Sequence, residues 1–534
     1  MAYFKVDRKD GEQYLRIMQS KRVDGKVVKK TLYSLGKVSD YTPAMLRRMG
    51  ERLYVLGGGE LRELLGADTE ELNRVNYGYY QACTKALRYY GLDRLLNQIQ
   101  RRSKVQFSIY HCMLLMLIER LHQPDSKRSN YMNQSEYWGL EPVELQHLYR
   151  SLDHISAHAE LIQNTIYTTG RNLFNQKLDV VFYDVTTFYF HSDKSDDLRA
   201  KGFSKDGKQG KVQIVFGLLI DQHKQPVGYQ IYKGNYFEGK TFSDAINRLK
   251  DKYQIDKVVV VADRGMLNQT NIGITEKEGY EFIMGERLKS LPAEVRSHLI
   301  TPENYKSEWV YNKDGQEIRA KYCLTEYKGR TIIGTWSAKR ARKDKNDREE
   351  LLEKAQKLLE RPSQLSRKAQ RFFIKDNTDH KYSLNTEKIK QAKQYDGYLA
   401  ISTNNKNLPT HQILDHYRHL YQVEHSFRTF KTHLETRPMF HWTPKRIEGH
   451  ICLCYISYTV HNFLQQKLKK GQLNLSDKAL RKALDGMQMS LIKSKNKQFY
   501  IRSNNKDPIP GVINRLGLAK IPNIITKSQI INYL

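Results

Sequence analysis

From residue 179 to about 280 the apolar residues follow an order of elements that leaves few ways to pack the chain. DVVFYDV is a short β-rich run, followed by KVQIVFGLLID and PVGYQIYKGN, with Gln222-His223-Lys224-Gln225 suited to a hairpin between the last two. TFSDAINRLKDKY, about 240 to 252, has helical spacing, KVVVVADRG is a fully apolar strand, and a further helix opens at Asn268. Three strands, a helix, a strand and a helix place the first strand centrally, paired with the strand that follows the crossover. The ends of both then face one crevice. In this reading Asp184 closes the first strand and Asp263 the fourth.

That element order is the one of an RNase H-like core, a mixed five-stranded sheet with helices. A third acid enters from Tyr417 to Lys431, YRHLYQVEHSFRTFK. At about 100° per residue, Tyr417, Tyr421, Arg428 and Lys431 fall within roughly 60° of Glu424. Beside this polar face runs an apolar stripe, Leu420, Val423, Phe427, Phe430 and Leu434, at the spacing of a helix docked on a core. Taken alone, the stretch equally suits a surface helix with acid–base pairs four residues apart.

The rest of the chain reads as several further domains. Residues 1–40 alternate about Asp24-Gly25 as a basic β-hairpin, either a contact to DNA or a partner subunit, or a plain structural hairpin. Residues 41–175 turn helical, an all-helical domain expected to bind DNA, with a polar, basic stretch Ser126–Asn133 suited to a loop or a phosphate-contacting turn. The core is expected over 176–286 and again over 395–468. Between them, 287–394 reads as a β-rich insertion with a charged helix, KNDREELLEKAQKLLE. The helix following Pro444 is apolar enough to cover the sheet, and 469–534 is expected to be a helical, basic tail.

Charge narrows the partner. Lys and Arg number 89 against 58 acids, a net +31 spread along the chain, which favours a polyanion, first of all double-stranded DNA. The five cysteines show no zinc-ligand spacing, the N-terminus MAYFKVDRKD has no apolar leader segment, and no apolar run is long enough for a bilayer. The expectation is a reduced, cytoplasmic protein with no membrane association. Phosphodiester cleavage needs an activated water or 3′-hydroxyl and stabilisation of the leaving oxygen, which two Mg²⁺ ions held by a few carboxylates provide. Asp184, Asp263 and Glu424 suit that chemistry. Each Asp alone reads first as a strand-terminal turn residue. What favours the metal-binding reading is their joint placement, together with the cost of a carboxylate after four valines, close to a buried sheet, unless it is paired or metal-bound.

These residues carry a resemblance. FYDVTTFYF around Asp184, GFSKDGKQGKVQIVFGLLID and GYQIYKGNYFEGKTF after it, VVVADRGMLNQTN around Asp263, and YQVEHSFRTFKTHLETRPMF around Glu424 resemble the DDE transposases of bacterial insertion sequences. The group is the one with a YREK signature, insertion sequence four and its 1634-like branch, and the likeness covers roughly residues 180 to 465, with a weaker one in the N-terminal hairpin. It implies an enzyme that binds terminal inverted repeats, cleaves DNA at the element ends and joins 3′ ends to target DNA, as a homodimer in a synaptic complex, in the bacterial cytoplasm on nucleoid DNA. It implies that Asp184, Asp263 and Glu424 bind two Mg²⁺ ions, with Mn²⁺ able to substitute, and that Tyr417, Tyr421, Arg428, Lys431 and Arg264 hold DNA. The signature maps onto Tyr417, position 420, Glu424 and Lys431, and position 420 is Leu where Arg is expected, which leaves Arg418 or Arg428 to supply the charge from a neighbouring position. Related enzymes stack a flipped base on a tryptophan of the insertion, for which Trp309 and Trp336 both stand as candidates. Alternatives are a DNA-binding descendant without activity, another RNase H-like nuclease, and a basic nucleic-acid scaffold.

Overall fold

The computed structural model describes residues 2–23, 26–58, 69–174, 180–203, 210–251, 258–313, 316–357, 372–375, 382–494 and 497–533. They form two compact units. The smaller joins Met1–Val75 with Met489–Asn504 and Ile521–Leu534. Its first part is three antiparallel strands, β1 (Ala2–Lys9), β2 (Glu12–Val23) and β3 (Lys26–Lys37), where a single hairpin was expected. The additional turn is Asp10-Gly11, both with positive φ (53° and 79°), which two-residue hairpin loops require. The expected turn at Asp24-Gly25 lies outside the described residues, while Val23 and Lys26 on either side are paired.

The expected basic tail also contributes strands. β4 (Glu70–Asn76) lies beside β17 (Gln488–Ser494), which pairs with β18 (Lys497–Arg502) and through it with β19 (Ile524–Thr526). Polar residues fill much of these short runs, as in EELNRVN and QMSLIKS, and leave few apolar ones to mark a strand.

The larger unit holds Asn76–Gln488 and Asn505–Lys520. Its centre is a ten-stranded sheet. In chain order the strands are β5 (Val180–Tyr189), β6 (Ala200–Lys201), β7 (Val212–Asp221), β8 (Pro226–Lys233), β9 (Val259–Ala262), β10 (Glu281–Glu286), β11 (Ser307–Lys313), β12 (Gln316–Tyr327), β13 (Arg330–Trp336) and β16 (Tyr398–Thr403). The short pair β14 (Phe373–Lys375) and β15 (Tyr382–Leu384) stands apart from the sheet. Across the sheet the order is β11-β12-β13-β16-β10-β9-β5-β7-β6, with β8 also on β7. β9 runs parallel to both β5 and β10, and β7 is antiparallel to β5. Every residue of β7 is buried, as its unbroken apolar run requires of a strand covered on both faces.

Four expectations change here. The sheet has ten strands because β10, a six-residue run the sequence reading did not separate, joins β9 to β16, and the insertion's strands β11–β13 continue from β16. Asp184 does not end its strand, since Val185–Tyr189 go on pairing with β7 out to Gln213. The helix Pro444–Lys470 packs chiefly against the helices Leu145–Ala157, Ile109–His122 and Gly78–Tyr89, and touches the sheet mainly at β8, where Tyr455 meets Tyr229 at 4.8 Å between ring centres. Gly449 allows this approach: a Cβ there would stand 2.7 Å from the Leu152 carbonyl carbon. Residues 76–174, expected to belong to a separate helical domain, therefore share one compact unit with the sheet.

One face of β5 carries Val181, Tyr183 and Val185, packed with Phe242, Ile246 and Ile272 of the helices Glu238–Asp251 and Gln269–Lys277. Residues of a strand alternate between faces, so Asp184 shares the opposite face with Phe182 and Phe188. Phe188 lies 6.5 Å from Phe430, and Phe216 of β7 lies 6.3 Å from Phe427. The Glu424 segment is thus docked on the face that carries Asp184. Among the described residues no helix is long and apolar enough to cross a membrane, and all five cysteines are buried and unpaired.

Candidate active site

The parallel register sets the two aspartates side by side. Tyr183 of β5 pairs with Ala262 of β9, so Asp184 and Asp263 each stand one residue beyond the last paired row. Asp184 is half-buried, and its Oδ1 accepts the Val185 N–H at 2.7 Å. Asp263 leaves the sheet into a turn closed by Met266 N–H on its carbonyl at 3.0 Å, and it is exposed together with Arg264. The expected cost of burying Asp263 after the valines is therefore not incurred, because the strand ends at Ala262.

The Glu424 stretch is two helices rather than one. The first runs Thr410–His419, the second Tyr421–Arg428, and Thr429–His433 forms a wider π turn. At the joint, Leu420 N–H reaches the Tyr417 carbonyl at 3.1 Å and Val423 N–H the Leu420 carbonyl at 3.0 Å, tightening the turn to three-residue bonds. Val423, Phe427, Phe430 and Leu434 are buried as their spacing predicts, while Tyr421, Glu424 and Arg428 are exposed and Tyr417 and Lys431 half-buried.

An open cleft of about 1580 Å³ gathers these side chains. Asp184, Asp263, Glu424, Tyr417, Tyr421, Arg428, Lys431, Trp309 and Trp336 all line it; Arg264 does not. The sequence reading missed Lys339, Arg340, Arg342 and Lys343, which open the helix Ala338–Gln356 on the cleft wall, and also Arg437, whereas Arg418, one of its two neighbours for the missing signature arginine, lines the cleft. The run KRARKDK was the available signal for the first four, placed just ahead of the charged helix expected from residue 345.

Tyr417 reports the field of the cleft. Burial raises its hydroxyl pKa well above the usual tyrosine range; Asp263 and Glu424 push it further up, and Arg340 and Arg264 oppose them. The cation expected at position 420 is absent, and Leu420 itself lines the cleft. Arg418 lies 4.5 Å over the Tyr311 ring, with Nε 3.9 Å from Asp415. Arg428 is exposed, with no ion-pair partner among the described residues.

The two tryptophans differ. Trp309 is 8% exposed, donates from Nε1 to Asp415 at 3.2 Å and packs on Tyr311. Trp336 is 40% exposed, and its Nε1 donates to the Asp396 carbonyl at 3.2 Å, leaving its ring on the cleft wall.

As a donor set, Asp184, Asp263 and Glu424 offer the hard carboxylate oxygens that Mg²⁺ or Mn²⁺ takes. Asp263 and Glu424 have no hydrogen-bond or ion-pair partner for their carboxylates among the described residues, although the cleft walls are rich in Arg and Lys. Among the described residues no three acidic, histidine or cysteine side chains stand close enough together to hold an ion. The residues fit a metal in kind and share a cleft, without converging on one point.

At its last residue, His433, the π turn is tied down by Asp477, which His433 meets at 3.3 Å and His461 at 3.1 Å. The His461 hydrogen bond, with the charges of His461 and His433, depresses its carboxyl below the usual range. A depressed carboxylate stabilises the fold above its unfolded pKa and loses that contribution as pH falls through the folded value. Asp477→Asn is therefore expected to melt at a lower temperature than wild type at pH 7, with the gap closing once the pH drops below the ordinary value of 3.8. Thermal melts across pH 3 to 7 check this.

Aspartates on neighbouring parallel strands and a glutamate on a docked helix, opening on one basic cleft, go with the match of residues 175–460 to the transposase DDE domain. That match spans more than half of the chain, and the chain belongs to this family of transposition enzymes. Residues 4–58 match the N-terminal domain of the IS1634 family transposases, so the protein is an insertion-sequence transposase of IS1634 type. Among solved structures it is similar to the piggyBac transposase synaptic complex with hairpin DNA (10% identity, TM-score 0.37, covering 76% of each chain). It is also similar to the Mos1 transposase paired-end complex with the left transposon end (12% identity, TM-score 0.15, 38% of this chain and 65% of that one). A Mos1 mariner paired-end complex with Mn matches at 14% identity and TM-score 0.14, over 50% of this chain and 78% of that one. No curated protein matches the chain.

Proposed function

We propose that the sheet is an RNase H-like core and that Asp184, Asp263 and Glu424 are its catalytic, metal-binding carboxylates. The strand order β8-β7-β5-β9-β10 supports the first part, being that of the fold's five strands. The observation that carries the second is the register placing Asp184 beside Asp263, on a sheet whose Asp184 face receives the Glu424 helix. Two Mg²⁺ ions, or Mn²⁺ in their place, would activate the attacking oxygen and stabilise the leaving one. The protein's own part is positional. Arg428 and Lys431, on the face of Glu424, hold phosphates of the strand being cut, with Arg428 serving where the signature's arginine is replaced by Leu420. Tyr417 and Tyr421 flank the acid and limit where the strand lies, and Arg340 and Arg342 extend the basic wall.

On this reading the enzyme binds the terminal inverted repeats of its element through the N-terminal strands and the helical region 41–175. It cuts at each end and joins the freed 3′ ends to target DNA, two protomers acting together because two ends must be cut, in the bacterial cytoplasm on nucleoid DNA. Trp336 is the tryptophan that stacks an unpaired base, because its ring is the more exposed of the two. Base–aromatic stacking is worth about 1–3 kcal/mol. Trp336→Ala is therefore expected to weaken processing of the element end by roughly 5- to 100-fold with the melting temperature kept. Trp309→Ala, which removes a buried ring and the Asp415 bond, is expected to lower the melting temperature instead. Cleavage of a labelled end together with thermal melts separates the two.

The test of the reading as a whole is nicking of a labelled duplex carrying the element's end, with Mg²⁺ or with EDTA. Metal-dependent cleavage at the terminus followed by strand transfer is expected. Cleavage without transfer would favour a nuclease, and binding without cleavage a DNA-binding descendant.

A further inference from the structure

A second, smaller cavity of 210 Å³ lies in the same unit, lined by residues of the Ser126–Asn133 stretch and of the segment 435–450. Its walls include Arg120, Lys127, Arg437, His441 and His450. Arg120 is 5% exposed and Lys127 3%, so two cations are nearly withdrawn from water. Buried charges of one sign are costly unless paired. The acid nearest in sequence is committed elsewhere: Glu119 accepts Tyr137 Oη at 2.6 Å, Asn130 Nδ2 at 3.0 Å and Asn133 Nδ2 at 3.2 Å. Asp125 and Glu435 line the cavity but are exposed. Among the described residues neither Arg120 nor Lys127 has a carboxylate within ion-pair distance. Arg120 spends Nη1 on the Leu434 carbonyl at 3.1 Å, and its buried Nε has no hydrogen-bond partner. Lys127 has one neutral contact, Asn130 Oδ1 at 3.4 Å.

We propose that this cavity is a binding site for a phosphate group, held by Arg120 and Lys127, with Ser126 and His441 as further donors at its rim. The anion supplies the negative charge that the surrounding side chains lack, and 210 Å³ is room for a phosphate with accompanying water. The titration behaviour of the walls agrees. Burial, then Arg120, brings Lys127 down to about 7, while Glu119 and Asp125 act against that fall. Burial, with Lys127 and Arg120, holds His441 down at about 3 and His450 well below its ordinary value. Each of these shifts is one that a bound anion would oppose. Arg437 lines both this cavity and the large cleft, so a nucleic-acid strand leaving the cleft passes it. The phosphate is either one of that strand or a free ion. Only its assignment to DNA rests on the proposed function.

The first arm uses the full-length protein and inorganic phosphate alone. Melting temperature is measured as phosphate replaces chloride at constant ionic strength, for wild type, Lys127→Met and His441→Gln. Anything that binds the folded state raises its melting temperature with concentration. The expected result is a phosphate-dependent rise for wild type, lost in Lys127→Met and reduced in His441→Gln. The half-exposed His441 keeps the comparison available if Lys127→Met does not fold. A wild type indifferent to phosphate, or a rise undiminished in both variants, overturns the site. The second arm measures affinity for the element-end duplex against salt. A slope of log K on log salt lowered by about one in Lys127→Met assigns the site to a DNA phosphate. An unchanged slope with the phosphate-dependent rise present assigns it to a free ion. Because the first arm involves no DNA, failure of end cleavage tests the transposition reading separately.

Discussion

Glu424→Gln is expected to bind the element end as wild type does and to lose end cleavage by at least about 10²- to 10³-fold, the range seen when one preorganised electrostatic group is removed from an active site. Glu424 is exposed on its helix, whereas Val423 and Phe427 beside it are buried, so the amide leaves the docking contacts alone. The carboxylate has no hydrogen-bond or ion-pair partner among the described residues, and no structural bond is broken. The substitution removes one charge and one hard oxygen donor, and the loss falls on the chemical step. Gel-shift affinity and single-turnover cleavage, measured on the same duplex, check this. Equal loss of both would make Glu424 a binding residue, and unchanged cleavage would remove it from the catalytic set.

The second large effect comes from a residue outside the lining of the cleft. Gly285 of β10 is buried beneath Tyr417: a Cβ built there collides with the Tyr417 hydroxyl and stands 3.1 Å from both N and Cβ of Arg264. The tyrosine ring is rigid and Arg264 N is backbone, so Gly285→Ala must displace either the helix that positions Glu424 or the turn that carries Asp263. Misplacement by about 1 Å is worth roughly 10²-fold in rate. Gly285→Ala is therefore expected to fold, to melt lower than wild type, and to cut roughly 10²-fold more slowly. Adding Tyr417→Phe removes the colliding oxygen and should recover part of the lost melting temperature, a coupling read from a double-mutant cycle of thermal melts. Strict additivity of the two changes would show that Tyr417 does not rest on Gly285.

Element type and family were legible wherever the signal was local. The apolar run of β7, the valines of β9 and the stripe Val423, Phe427, Phe430 each announce their structure within a few residues, because side-chain period follows directly from backbone geometry. β10 was missed because EFIMGE holds one β-branched residue and a glycine, where β9 is a run of valines. The helix Pro444–Lys470 was assigned to the wrong neighbour because a helix apolar on most sides says that it is buried but not against what.

The sequence by itself determined that a sheet bearing two aspartates is followed by a docked helix bearing a glutamate, within a strongly basic chain, and those motifs carry the family. Only the tertiary structure decided that Asp184 lies within its strand, that the cations near Arg340 face the cleft, and that Trp336 rather than Trp309 is the more exposed. It alone brought Arg120 to the carbonyl of Leu434, 314 residues away, and so enclosed two cations in one small cavity. Local period constrains each element's faces, whereas the partner of each face is fixed by contacts between distant residues.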